Sequence, residues 1–141
     1  MLDNFESISP TAILTSYPRT FTDIPYEKDI YKWLTENCNE DVKLNKMLAT
    51  EIEARYKLTD RLMSKLNIKQ VLELAAGYSS RGLIYSQKGY KYIEMDLEEV
   101  CNNKKRLINE IFEMNNNLHI ISINISRNII HFIIFFILII L

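Results

Sequence analysis

Apolar residues recur at helical spacing through the first half of the chain. One such run follows Pro25, which suits the first position of a helix, and closes at Asn37 to Asn39. A longer run from about Asp41 to Asn67 has a broad apolar face, and Thr59-Asp60 can cap a second helix inside it. The proline-containing stretch before these runs predicts irregular backbone or one short helix. Residues 1–67 are therefore expected to form a helical segment, with the apolar positions Tyr26, Ile30, Trp33, Leu34, Leu44, Met47, Leu48, Ile52, Leu58, Leu62, Met63 and Leu66.

From residue 68 onward the apolar period becomes that of strands. Val71 to Leu74 predicts a short buried strand, and Tyr90 to Asp96 predicts a second one. Between them, Ser79 or Ser80 can cap a short helix, and Gly89 suits the position just after its end. A strand, a helix and a strand in this order predict a right-handed βαβ unit with parallel strands. Residues 68–125 are thus expected to form an α/β unit, completed by a helix from Leu97 to Met114 and a strand from Leu118 to Ile125.

The C-terminal tail, residues 126–141, follows a different pattern. Arg127 is the only charged residue from Leu118 onward, and the apolar run of residues 129–141 is interrupted only by His131. This run is shorter than the roughly 20 apolar residues that span a bilayer as a helix. Three interpretations stay open: a C-terminal membrane anchor, a strand or helix buried in an incomplete core, or translated sequence that was never selected to fold with the rest. Any membrane contact is expected through residues 129–141.

Composition and charge narrow the possible functions. A length of 141 residues with 48% hydrophobic residues suits one globular domain. The formal net charge of -1 argues against nonspecific binding of nucleic acid, which needs a dense cationic surface. The two cysteines lack metal-type spacing, so no metal site is predicted, and the first residues lack the basic and apolar zones of a signal peptide. A cytoplasmic protein is the default expectation.

A turn of small residues and a later acid indicate a site for a nucleotide-type cofactor. Ala75, Ala76 and Gly77 follow the first predicted strand, and Asp96 ends the second one, 19 residues after Gly77. Ligands of such α/β units bind beyond the carboxyl ends of the strands. When the turn is aligned with the dinucleotide pattern GxGxxG, one of the three glycines is retained, which disfavours NAD. S-adenosylmethionine has no phosphate and is compatible with a small-residue turn before a helix N-terminus.

Three charged residues have alternative interpretations. Asp96 can accept hydrogen bonds from both ribose hydroxyls, or it can cap the helix that follows. Glu73 interrupts an apolar strand, where an unpaired carboxylate is costly, so it is either a partnered site residue or faces a solvent edge. Arg55 can bridge Glu51 four positions earlier on a helix surface. We assign no general base, and neither histidine is assigned to catalysis.

Three motifs occur in order: Glu53 to Asp60 (EARYKLTD), Val71 to Gly82 (VLELAAGYSSRG), and Tyr92 to Leu97 (YIEMDL) with Lys104-Lys105-Arg106. Over roughly residues 7 to 125, the chain resembles the leucine carboxyl methyltransferase-like family of class I S-adenosylmethionine-dependent O-methyltransferases. It is most similar to the branch described as O-methyltransferases involved in polyketide biosynthesis. The resemblance implies an α/β fold of the Rossmann-like class I methyltransferase type, incomplete here, with N-terminal helices and a partial parallel sheet.

The resemblance also implies roles for individual residues. Arg55 would pair with the carboxylate of S-adenosylmethionine, Ala75 and Gly77 would form the cofactor loop, and Asp96 would hold the ribose. Ala75 stands where the family often has glycine, so its methyl group must fit close to the cofactor. Glu73 adjoins this loop, and we include it among the candidate cofactor-binding residues.

Two functional hypotheses follow from these observations. Relatives continue with further strands and helices that the sequence after about Ile125 does not resemble, which predicts a truncated S-adenosylmethionine-dependent O-methyltransferase domain. Its methyl acceptor would be an oxygen of an unidentified small molecule or a carboxyl group. The alternative is a noncatalytic membrane-attached protein whose apolar tail is the working element.

Overall fold

The computed structural model describes residues 9–38 and 46–123, which form helices around a small parallel sheet. A 3₁₀ turn at Lys46–Leu48 precedes the third helix. The elements in chain order are α1 (Ser9–Arg19), α2 (Glu27–Asn37), α3 (Ala49–Lys65), β1 (Gln70–Leu74), α4 (Arg81–Gln87), β2 (Lys91–Asp96), α5 (Glu98–Ile111) and β3 (Leu118–Ser122).

The sheet has the order β1-β2-β3, and both neighbouring pairs are parallel. Leu72 pairs with Ile93, and Ile93 pairs with His119, so the three strands end at one common edge. This arrangement confirms the predicted α/β fold with a partial parallel sheet. The predicted third strand is confirmed over Leu118–Ser122, and residues 124 and 125 of that prediction lie outside the described residues.

The core lies where α2, α4 and α5 meet the sheet. Trp33 is buried there, as its helical spacing predicted, together with Leu34 of the same helix and Tyr92 of β2. Val100, Cys101, Leu107 and Ile108 recur at helical spacing and form the buried face of α5. The core therefore fixes α5 and the carboxyl end of β2 relative to each other.

The N-terminal helices differ in detail from the expectation. The segment expected to be irregular or a short helix forms the eleven-residue α1, with Pro10 in its first turn and Pro18 in its last. A proline in the first turn loses no intrahelical hydrogen bond, which explains why Pro10 is tolerated. The prediction that Pro25 occupies the first helical position was wrong: Tyr26, with φ of 68°, is the N-cap residue and α2 begins at Glu27.

The expectation for α3 was also partly wrong. The helix is continuous, so Thr59-Asp60 does not start a second helix: the Thr59 hydroxyl donates to the Arg55 carbonyl at 3.0 Å. The predicted apolar face is buried only at Met63: Ile52 is partly buried, and the leucines at 58, 62 and 66 are more than half exposed. The other buried residue of α3 is Tyr56. The buried pair and the exposed leucines lie on different sides of the helix, and spacing alone could not show which set packs. Leu44 lies outside the described residues.

The predicted apolar tail, residues 126–141, lies outside the described residues. Within residues 9–38 and 46–123, no helix combines the length and the apolar character needed to cross a bilayer.

Candidate functional site

The turn between β1 and α4 is built from small residues in unusual backbone conformations. Ala75 and Gly77 both have φ of 53°, a left-handed conformation that glycine adopts more readily than alanine. Ser80 is the N-cap residue of α4, and the Ser79 hydroxyl accepts the Arg81 N–H at 3.3 Å. A serine therefore occupies the predicted cap position, but its side chain makes no capping hydrogen bond to the helix. The turn lies at the carboxyl edge of the sheet.

A buried acid from α2 supports this turn. Glu27 is fully buried, and its Oε1 accepts the Ser80 N–H at 2.9 Å. Its other oxygen, Oε2, lies 3.7 Å from Arg19 Nη1 at the end of α1. These contacts hold the first turn of α4 against the N-terminal helices. The contact with Ser80 could not be anticipated from local sequence, because the two residues are 53 positions apart.

Asp96 and Gly77 lie next to each other, as the cofactor interpretation requires. Asp96 Oδ2 accepts the Gly77 N–H at 2.6 Å, and Oδ1 accepts the Leu97 N–H at 2.7 Å. The alternative reading of Asp96 as a helix cap was wrong, since Leu97 is the N-cap residue of α5 and no side chain caps that helix. Each carboxylate oxygen keeps a second lone pair that can accept a further hydrogen bond.

A cavity of about 290 Å³ opens beside this turn. It is lined by Arg55 from α3, Glu73 at the end of β1 and Ala75 in the turn, together with Arg19 and Arg81. Three of the five predicted site residues thus share one cavity. The other two, Gly77 and Asp96, contact each other on the neighbouring part of the turn.

Arg55 forms the predicted surface bridge and also lines the cavity. Its side chain is 75% exposed, and its Nε lies 3.9 Å from Glu51 Oε1, which is the predicted surface bridge. The same side chain also lines the cavity. An exposed pair at this distance is weak, so the guanidinium can turn to an anionic ligand at little cost.

Glu73 is partnered rather than directed to a solvent edge. Its Oε1 accepts Arg81 Nη1 at 2.9 Å, and its Oε2 accepts the Tyr92 hydroxyl at 2.8 Å. Burial, and next the nearby Glu73 charge, raise the pKa of Tyr92 well above its ordinary value of 10.0, so the hydroxyl stays protonated as the donor. Each oxygen of Glu73 therefore accepts a hydrogen bond from a side chain of the protein.

Arg81, the first residue of α4, was not among the predicted site residues. In addition to Glu73, the guanidinium contacts Asp60 Oδ1 at 3.1 Å and lies 4.1 Å above the centre of the Tyr56 ring. A signal did exist: Glu73 and Arg81 are the two charged residues that flank an otherwise uncharged turn. Two charges of opposite sign around a buried turn indicate an ion pair.

A second, smaller cavity of about 150 Å³ lies at the start of α5. It is lined by Leu97 and Glu98 at the start of α5 and by Ser122 and Ile123 at the end of β3. This cavity adjoins Asp96 through its chain neighbour Leu97 and its strand partner Ser122.

Comparison with known proteins identifies a family. Residues 20–131 match the model of the leucine carboxyl methyltransferase family. The match includes every predicted site residue, and it begins and ends later than the range of 7 to 125 over which the sequence resemblance was drawn. A search of curated proteins found no match.

Proposed function

Because the chain belongs to the leucine carboxyl methyltransferase family, we propose that it binds S-adenosylmethionine and serves methyl transfer to an oxygen atom. Members of this family are methyltransferases that generally use S-adenosylmethionine. The observation that carries the proposal is the contact between the Asp96 carboxylate and the Gly77 N–H at the carboxyl edge of two parallel strands. Ligands of open α/β sheets bind at this edge.

The residues present suit the separate parts of such a cofactor. The free lone pairs of Asp96 would accept the ribose hydroxyls, and the small cavity beside Leu97 and Ser122 would take the base. The larger cavity carries Arg55, whose guanidinium would pair with the methionyl carboxylate. The side chain of Ala75 is a single methyl group, so the ligand could approach the backbone of the turn closely.

The chemistry of this proposal requires little from acidic or basic side chains. When bound, S-adenosylmethionine supplies an electrophilic methyl group and its own leaving group. The protein would hold the acceptor oxygen in line with that methyl group. A carboxyl acceptor is already deprotonated at neutral pH, whereas a hydroxyl acceptor would need a base, which we do not assign. The acceptor therefore stays an oxygen of a small molecule or a carboxyl group.

The alternative function, a membrane-attached protein without catalysis, stays a prediction. It depends on residues 129–141, which lie outside the described residues. Cytoplasmic location is likewise a proposal.

Calorimetric titration of the whole chain with S-adenosylmethionine tests the proposed function. Wild-type protein should bind it saturably, and Asp96→Asn should raise the dissociation constant about ten- to hundredfold, because one charge-assisted acceptor is lost. Asp29→Asn, at an exposed aspartate of α2, is the matched control and should leave binding unchanged. Absence of saturable binding in a folded wild-type sample would refute the proposal, as would an unchanged constant in Asp96→Asn.

A further inference from the structure

The helix that carries Arg55 packs on the rest of the molecule through few apolar contacts. Of the seventeen residues of α3, the buried ones are Tyr56 and Met63. The leucines at 58, 62 and 66 are more than half exposed. Since apolar burial is the usual source of helix docking, α3 depends more than the other helices on its polar contacts.

Arg81 supplies several of these polar contacts. Its Nε lies 3.1 Å from Asp60 Oδ1, and its Nη2 donates to the Tyr56 carbonyl at 3.4 Å, so two groups of α3 are held. Its Nη1 donates at 2.9 Å to Glu73 of β1, whose other oxygen accepts the Tyr92 hydroxyl of β2. One guanidinium therefore connects α3 with two strands of the sheet.

These contacts leave Arg81 little capacity for a ligand. The side chain is 11% exposed, each of its three guanidinium nitrogens has a protein partner, and one face covers the Tyr56 ring. Arg55 lines the same cavity but is 75% exposed, and among the residues that the structure describes its guanidinium pairs with Glu51 alone, at 3.9 Å. Arg55 is therefore more available to a ligand than Arg81.

We propose that Arg81 is a positioning residue: it fastens α3 to the sheet and thereby places Arg55 at the cavity, without contacting the ligand itself. This inference rests on the proposed function for the identity of the ligand. It also assigns Glu73 a supporting part, since both of its oxygens hold protein groups. Lysine could not replace Arg81, because a single ammonium cannot reproduce the planar fork that reaches both carboxylates.

A double-mutant cycle measured by titration with S-adenosylmethionine tests the proposal. In the wild-type background, Arg55→Ala should raise the dissociation constant about tenfold. In the Arg81→Met background the constant is already raised, and adding Arg55→Ala should change it less than about twofold, because the helix no longer holds Arg55 in place. Effects that multiply would overturn the proposal, since they would mean that the two arginines act independently.

A milder variant covers the case in which Arg81→Met does not fold. Asp60 is not among the residues that line the cavity, and its carboxylate contacts Arg81, so Asp60→Asn weakens the fastening of α3 without removing a cavity side chain. It should raise the dissociation constant about threefold to tenfold. Arg106→Met is the control and should leave binding unchanged, because its contacts with Glu110, Asn37 and Trp33 lie away from α3 and the cavity. Equal binding by wild type and Asp60→Asn would overturn the proposal.

Hydrogen exchange without ligand separates this inference from the proposed function. In Asp60→Asn and Arg81→Met, the amides of residues 49–65 should lose protection relative to those of β2, whereas Arg106→Met should match wild type. If wild type does not bind S-adenosylmethionine but α3 still loses protection, the proposed function fails and the fastening role stands. Unchanged protection of α3 in both variants would overturn the fastening role, whatever the binding result.

Discussion

Replacing Lys104 tests how the buried charges of the sheet are balanced. Glu94 of β2 and Lys104 of α5 are 1% and 4% exposed, and Lys104 Nζ lies 2.7 Å from Glu94 Oε2. Lys104→Met would leave the carboxylate buried without its cation. Breaking a buried pair in this way costs about 3–5 kcal/mol, a large part of the roughly 5–15 kcal/mol that stabilises a typical domain. We expect a loss of about 3–5 kcal/mol near pH 7.

The loss should depend on pH in a defined direction. Burial raises the pKa of Glu94 above its ordinary value of 4.5, and Lys104 opposes this shift. A raised pKa in the folded state means that the stabilising contribution of Glu94 is complete below pH 4.5 and is lost as the pH rises through the folded value. Without Lys104 the pKa of Glu94 is higher still, so the carboxyl is protonated more readily as the pH falls. The loss of unfolding free energy in Lys104→Met should therefore be smaller at about pH 5 than at about pH 7.

Urea unfolding followed by the fluorescence of Trp33, the single tryptophan, measures both effects. Lys105→Met is the matched control, because Lys105 is the exposed neighbour on the same helix, and it should change stability by less than about 0.5 kcal/mol. The double variant Glu94→Gln/Lys104→Met should recover most of the loss, since it leaves no buried charge. A deficit below about 1 kcal/mol, or one equal at both pH values, would refute the reasoning.

Two glycine-related changes test the geometry of the first βα turn. A Cβ on Gly82 would overlap Glu94 Oε1 and lie 2.7 Å from its Cδ, so Gly82→Ala should lower stability by about 1–3 kcal/mol in urea unfolding; an unchanged midpoint would contradict this. Ala75→Gly removes the strain of a left-handed alanine, and this gain exceeds the stability lost because glycine makes the unfolded chain more flexible. The change should therefore raise stability by about 0.5–1 kcal/mol. A lowered thermal midpoint in Ala75→Gly would show that the alanine is unstrained.

The sequence allowed the central part of the site to be predicted because its signals are local. Apolar runs define β1 and β2, and the small residues between Leu74 and Tyr78 leave only a tight turn before the next helix. Parallel strands end at the same edge, so the turn and Asp96 had to lie close together. The 2.6 Å contact between Gly77 and Asp96 follows from this topology.

The orientation of α3 could not be predicted in the same way. The helix has two apolar stripes, and the buried one contains Tyr56 and Met63 rather than the more regular leucines. The choice depends on Asp60, which meets Arg81 across 21 residues. Contacts at that separation depend on the docked position of both helices, and hydrophobic spacing carries no information on it. The same limit applies to Glu27, whose partner Ser80 is 53 residues away.

The register of the sheet explains why two cations are buried beside it. Glu73 and Glu94 are direct partners across β1 and β2, so their side chains lie on one face of the sheet, where like charges repel. That proximity is one of the causes that raise the pKa of Glu94, after its burial. Each acid is paired with a cation from the helix that follows its own strand: Arg81 begins α4, and Lys104 lies in α5. A one-residue slip of β2 would move Glu94 to the opposite face and away from Lys104. The two ion pairs therefore favour the register that places Asp96 beside Gly77, and the charges that stabilise the sheet also define its candidate cofactor site.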